Sequence, residues 1–188
     1  MKCSKNKKIN TLFIDIVFLT LVFNFGSVNS QCDKLSKDEY KVINDYYSKL
    51  KVDIPLYHRT YFDKAWVRYF ENTENIFGAA RGIPTTITDG ELRVLLDDIS
   101  DQIATEIIIG WPCDLKQSEL THKLKIVESF DSKDDIKNGV RRISKPIIVD
   151  DIAVIKLVQR SSISIHILQK QNRIWEPVYS FNEWFIIE

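Results

Sequence analysis

The sequence predicts an α+β fold, with N-terminal helices packed on a C-terminal antiparallel β-meander. Three observations carry that expectation. Ser162-Ile-Ser-Ile-His-Ile-Leu168 alternates with period two, placing Ile163, Ile165 and Ile167 on one face and Ser162, Ser164 and His166 on the other. Such alternation reads as a strand with one buried and one wet side. Upstream of it, Ile152-Ala-Val-Ile-Lys-Leu-Val158 is apolar on both faces, as a strand in the middle of a sheet would be. Apolar residues between positions 37 and 104 recur instead at helical spacing.

The N-terminal residues read as a leader. Met1 to Asn10 contains Lys2, Lys5, Lys7 and Lys8, Ile16 to Phe25 is apolar, and Gly26 to Ser30 is small and polar. That order describes a secretory signal peptide cut after Ser30. Asp15 limits the apolar run to about 10 residues, where a membrane span needs roughly 20. Residues 31–188 are then expected to form one α+β domain outside the cytoplasm, secreted or periplasmic. Residues 1–30 hold four of the 26 basic residues and one of the 26 acidic ones, so the remainder is net acidic. No basic stripe is present, which argues against nucleic-acid binding.

Two cysteines remain after the leader, Cys32 and Cys113. An even count in an oxidising compartment predicts a disulfide between them. The rival is a lipoprotein in which Cys32 is acylated and anchors the chain to the cell envelope. Gln31 stands where such processing wants a small residue.

Along the chain, Ser36 and Glu39 have capping-box spacing, and Tyr40, Ile43, Tyr47 and Leu50 follow at helical intervals, predicting a helix over 37–50. Phe62, Trp66, Tyr69 and Phe70 predict a second helix ending near Gly78, with a strand over Leu56 to Phe62 as an alternative. Helical spacing favours a buried role for these rings over an exposed stacking platform. Gly78 to Pro84 reads as a loop. Thr88 and Glu91 form a second capping box before Leu92, Leu95, Leu96, Ile99 and Ile103, a helix to about Ala104. Glu106 to Ile109 reads as a short strand and Lys123 to Glu128 as a longer one. The meander strands are expected at Pro146–Val149, Ile152–Val158, Ser162–Leu168 and Ile174–Phe181. Turns fall at Asp150-Asp151, Arg160-Ser161 and Gln171-Asn172. Pro177 cannot donate to a ladder, so the last strand should be an edge or carry a bulge. Trp175 and Trp184 read as lids over the end of the core.

Ile143-Ser-Lys-Pro-Ile147, Ile152-Ala-Val-Ile155, Ile167-Leu-Gln-Lys-Gln-Asn-Arg-Ile-Trp175 and the terminal Trp184 resemble a group of bacterial exported proteins. Those proteins carry a strand reading ALVY, a hairpin reading LLKKENGKW and a final Trp. Glu39-Tyr-Lys-Val-Ile-Asn44 is similar to their N-terminal helix. Where many of them have a Cys- and Gly-rich turn, this chain has Arg160-Ser161-Ser162. The group has no established activity, so the resemblance implies a fold and an exported location.

The residues offer little chemistry at short range. His58, His122 and His166 are isolated, without the HxxxH, HxH or CxxC nucleus of a zinc site. Asp97, Asp98 and Asp101, with Glu106 nearby, read as a solvated helix face before a cation site. Asp131 to Gly139 fails as a calcium loop, having Lys133 at its third position. Nucleophile, phosphate-loop and metalloprotease motifs are missing. No catalytic, cofactor or metal residue is therefore assigned. The leading expectation is a non-catalytic exported domain that binds a protein or small ligand. Two alternatives stand beside it: an envelope-polymer hydrolase with convergent carboxylates such as Glu71, Asp97 or Glu128, and an immunity-type inhibitor of a toxin enzyme.

Overall fold

The folded unit runs from Gln31 to Glu188. A computed structural model describes residues 32, 34–50, 52–79, 83–84, 86–97, 99–128, 139–159 and 162–183. The expected leader, Asp98, most of the Asp131–Gly139 segment, the expected Arg160-Ser161 turn and Trp184 lie outside those residues.

Helix α1 (Lys37–Ser48) begins at the expected capping box: the Ser36 hydroxyl accepts from the Glu39 N–H and the Glu39 carboxylate accepts from the Ser36 N–H. Strand β1 (Ile54–Tyr57) follows. The aromatic stretch then forms a 3₁₀ turn (Lys64–Val67), α2 (Arg68–Glu71) and α3 (Glu74–Ala79), in place of one long helix. Asp63 caps the 3₁₀ turn through the Ala65 N–H, and the helical run breaks at Asn72, whose backbone is extended. Next come β2 (Ile83–Pro84), α4 (Asp89–Asp97) and α5 (Ser100–Ile109). The Thr88–Glu91 box closes α4 as its spacing implies.

The short strand expected over Glu106–Ile109 is instead the last turn of α5. Three consecutive isoleucines imitate a strand, yet Ile103, Ala104 and Ile107 are buried at helical spacing while Ile108 and Ile109 face solvent. Helical burial of one face outweighs the β-propensity of the run.

The remaining strands are β3 (Leu124–Val127), β4 (Arg141–Ile143), β5 (Ile147–Val149), β6 (Ile152–Gln159), β7 (Ser162–Gln171) and β8 (Ile174–Glu183). They join one sheet in the order β2-β8-β7-β6-β4-β1-β3, with β5 also paired to β6. The meander β5 to β8 is antiparallel throughout, and β6 lies at the centre of the sheet. Beyond it, β1 runs parallel to both β3 and β4, so the whole sheet is mixed. Pro177 sits at a register shift opposite Ile167 and Leu168, the bulge its missing N–H calls for. The last hairpin turns at Asn172 and Arg173, both at positive φ.

Helices cover both faces of this sheet. One core gathers Trp66, Tyr69, Phe70, Leu92, Leu96, Ile103 and Ile107 over Val154, Ile165, Ile167 and Phe181. The other gathers Tyr40, Ile43 and Tyr47 of α1 over Ala153, Ile155, Leu157, Leu168 and Trp175. The second face of β7 is therefore wet at Ser162 but partly covered at Ser164 and His166. Tyr46 of α1 lies 3.2 Å from His166 Nε2, and Ser164 Oγ lies 2.9 Å from the same nitrogen. Asp45 adds a bond from the Trp175 N–H at 2.9 Å, which fixes α1 to β8.

Candidate functional site

The site is made by an interruption in the sheet. Between β4 and β5, Ser144-Lys145-Pro146 leaves the regular ladder, because Pro146 has no N–H to give. Ser144 compensates: its N–H donates to the Lys156 carbonyl (2.8 Å) and its hydroxyl accepts from the Lys156 N–H (2.9 Å). The Tyr61–Asp63 segment runs past this break, held by the Tyr61 N–H on the Ile143 carbonyl. Its position is set from behind by a small ladder in which Thr60 and Cys113 exchange bonds and Leu115 N–H reaches the His58 carbonyl. Cys113 is fully buried there and is joined to Cys32 by a disulfide, with Cα atoms 4.9 Å apart. A bridged Cys32 has no thiol left to carry a lipid.

The result is a cleft of about 320 Å³. Its walls come from the start of α1 (Asp38, Glu39), the 61–66 segment, the end of α5 (Glu106, Ile107, Gly110, Trp111) and the Ser144–Ile148 break. Phe62 and Trp111 stack with centroids 6.2 Å apart and planes 6° from parallel, while Trp111 keeps half its surface exposed. Gly110 makes this stack possible, since a Cβ there would stand 3.3 Å from the Phe62 ring and 3.1 Å from the Glu106 carbonyl.

Behind the cleft lies an ion pair that sequence reasoning missed. Lys156, on the central strand, has no solvent exposure, and its Nζ donates to Asp63 at 2.8 Å. The rings of Tyr61 and Trp66 stand 5.7 and 6.0 Å from the ammonium. Burial alone would raise the Asp63 pKa, but bonds from Lys156, the Ala65 N–H and the Tyr61 hydroxyl outweigh it and hold the carboxyl below its ordinary range. The signal was a lysine inside an otherwise apolar strand, which demands a buried carboxylate partner.

The cleft's other charges differ in how they are engaged. Glu39 is held by its capping bond and by Lys145 at 3.3 Å. The side chains of Asp38 and Glu106 are exposed and have no hydrogen bond or ion pair among the described residues.

The residues weighed from sequence are scattered. His58 lines a second, more open cleft of about 780 Å³ with Asp114, Leu115, Gln117, Ile126 and Glu128. His122 is exposed, and His166 is packed under α1, where burial lowers its pKa to about 4. Glu71 and Asp97 are exposed and line neither cleft, so Glu71, Asp97 and Glu128 do not converge. Asp101 is exposed on α5. Among the described residues no group of three or more His, Cys, Asp or Glu side chains could hold a metal ion. Likewise no helix among them is long and apolar enough to cross a membrane.

Comparison with known proteins returns nothing to set beside this geometry. No family model, curated protein or solved structure matches the chain.

Proposed function

We propose that this is an exported, non-catalytic binding domain whose cleft between α1, α5 and the β4–β5 break receives a small ligand. The observation that carries the reading is Trp111. A large ring half exposed to water, braced from behind by Phe62 over a concave polar wall, is costly to leave bare and suits contact with a ligand. Two features support binding over turnover. Asp63 and Glu39 are tied into the scaffold by several bonds each, as positioning groups would be. Asp63 is also held in its ionised form, whereas a general acid needs a raised pKa. Export is supported by the leader-like N-terminus and by the disulfide, which persists in oxidising compartments.

The test is a thermal-shift screen of residues 31–188 against amines, amino acids, sugars and carboxylic acids, followed by titration of Trp111→Ala. At least one compound class should raise Tm. Trp111→Ala should weaken its binding by at least about tenfold, roughly 1.4 kcal/mol. A screen without any shift, or a Trp111→Ala variant that binds unchanged, would remove the reading.

A further inference from the structure

Resting on the binding reading, the geometry points to the ligand class: we infer that the cleft takes an organic cation, an ammonium or guanidinium group on a short apolar stem. The charge balance of the wall is the first reason. The wall's lysine, Lys145, is answered by Glu39, and the wall's Asp63 is answered from behind by Lys156. Asp38 and Glu106 then remain as wall carboxylates without an ion pair among the described residues. The positive pole of α1 does not cancel their charge, because the Ser36 N–H is taken by Glu39 and the first turn carries Asp38 and Glu39. The end of α5 adds to it. Glu106, Ile107 and the C-cap Gly110 place the negative, C-terminal end of that helix at the wall, and its last turn has no basic residue to offset it.

The second reason is the rings. Electron-rich faces attract cations, and desolvation strengthens the attraction. The chain sets a carboxylate and rings around a cation of its own at Lys156, and a ring alone beside Lys64. Lys156 is held by a carboxylate and flanked by Tyr61 and Trp66, and Lys64 Nζ lies 5.9 Å from the Phe62 centroid. Trp111, Asp38 and Glu106 at the mouth offer a guest the same pair of components. Ile107, Pro146 and Ile147 line the cleft as well and suit an apolar stem.

Titration of residues 31–188 with cadaverine, its neutral isostere 1,5-pentanediol, and a short lysine-containing peptide with blocked termini tests the proposal. Cadaverine or the peptide should bind at least about tenfold more tightly than the diol, and the stronger of the two identifies a free amine or a basic side chain as the source. Glu106→Gln should weaken the cation by about fivefold and leave thermal stability unchanged, as expected for an exposed charge. Equal affinity for diol and cation overturns the cation assignment and leaves the cleft a binding site. Binding of cations that Glu106→Gln and Asp38→Asn both leave unaltered also overturns it. If only sugars or acids bind, with Trp111→Ala abolishing the contact, the binding reading stands and the cation assignment fails. If none of these compounds binds, the cation assignment fails, and the wider screen decides the binding reading.

Discussion

Lys156 shows how one residue can commit a neighbourhood. A fully buried ammonium needs a carboxylate within hydrogen-bond reach, and Asp63 supplies it from a segment 93 positions away. The two partners are unequal, because Asp63 retains about a quarter of its side-chain exposure while Lys156 has none. Asp63→Ala should therefore cost about 3–5 kcal/mol, by leaving a buried charge without its counter-ion. Lys156→Met should cost less, since the remaining carboxylate still accepts from Ala65 and Tyr61 and reaches water. Urea denaturation at pH 7 checks this through the two midpoints at unchanged slope. An equal loss from both variants would contradict the asymmetry.

At the scale of elements, the docking of α1 on the sheet is the feature with a pH signature. Its Tyr46 covers His166 of β7, and burial lowers the His166 pKa to about 4 from 6.5. The unfolded chain protonates this imidazole near pH 6.5 and the folded chain only near pH 4. Stability is thus fully present above about pH 6.5 and declines as pH falls toward 4, by at most roughly 3 kcal/mol. Asp63, whose pKa is lowered, loses its contribution in a separate window below its ordinary value of 3.8. Chemical denaturation between pH 7 and 4.5 should show the decline, and His166→Gln should flatten most of it. A wild-type stability constant over that range would mean His166 is solvated and α1 is not seated on it.

At the scale of the whole molecule, the Cys32–Cys113 bridge ties the start of the folded unit to the ladder that positions the cleft. Closing a loop with a separation of 81 residues is worth roughly 4.5 kcal/mol in the chain-entropy account. Secreted protein should begin at Gln31 and weigh two hydrogens less than its reduced form. Cys113→Ala should lose about that stability and, because Thr60 and Leu115 share the ladder, weaken ligand binding as well. Two freely alkylated thiols in native protein, or a lipid increment on Cys32, would refute the bridge.

Local order was legible wherever one chain segment decides its own conformation. The capping boxes at Ser36 and Thr88, the central apolar strand, the alternation of β7 and the consequence of Pro177 all follow from interactions within a few residues. The cysteine count likewise suffices to name the pair left if the expected leader is removed. Other features depend on what lies across the fold. Ser164 and His166 look solvent-facing until α1 is laid over them, and Ile107 to Ile109 look like a strand until the core selects one helical face. The cleft is the extreme case. Asp38, Asp63, Glu106, Trp111 and Lys145 come from four separate segments with no shared spacing, and only the β4–β5 break and the disulfide-braced ladder bring them to one wall. Hydrophobic period and capping are short-range properties and can be read along a chain, whereas charge balance in a concavity is a sum over segments and exists only after folding.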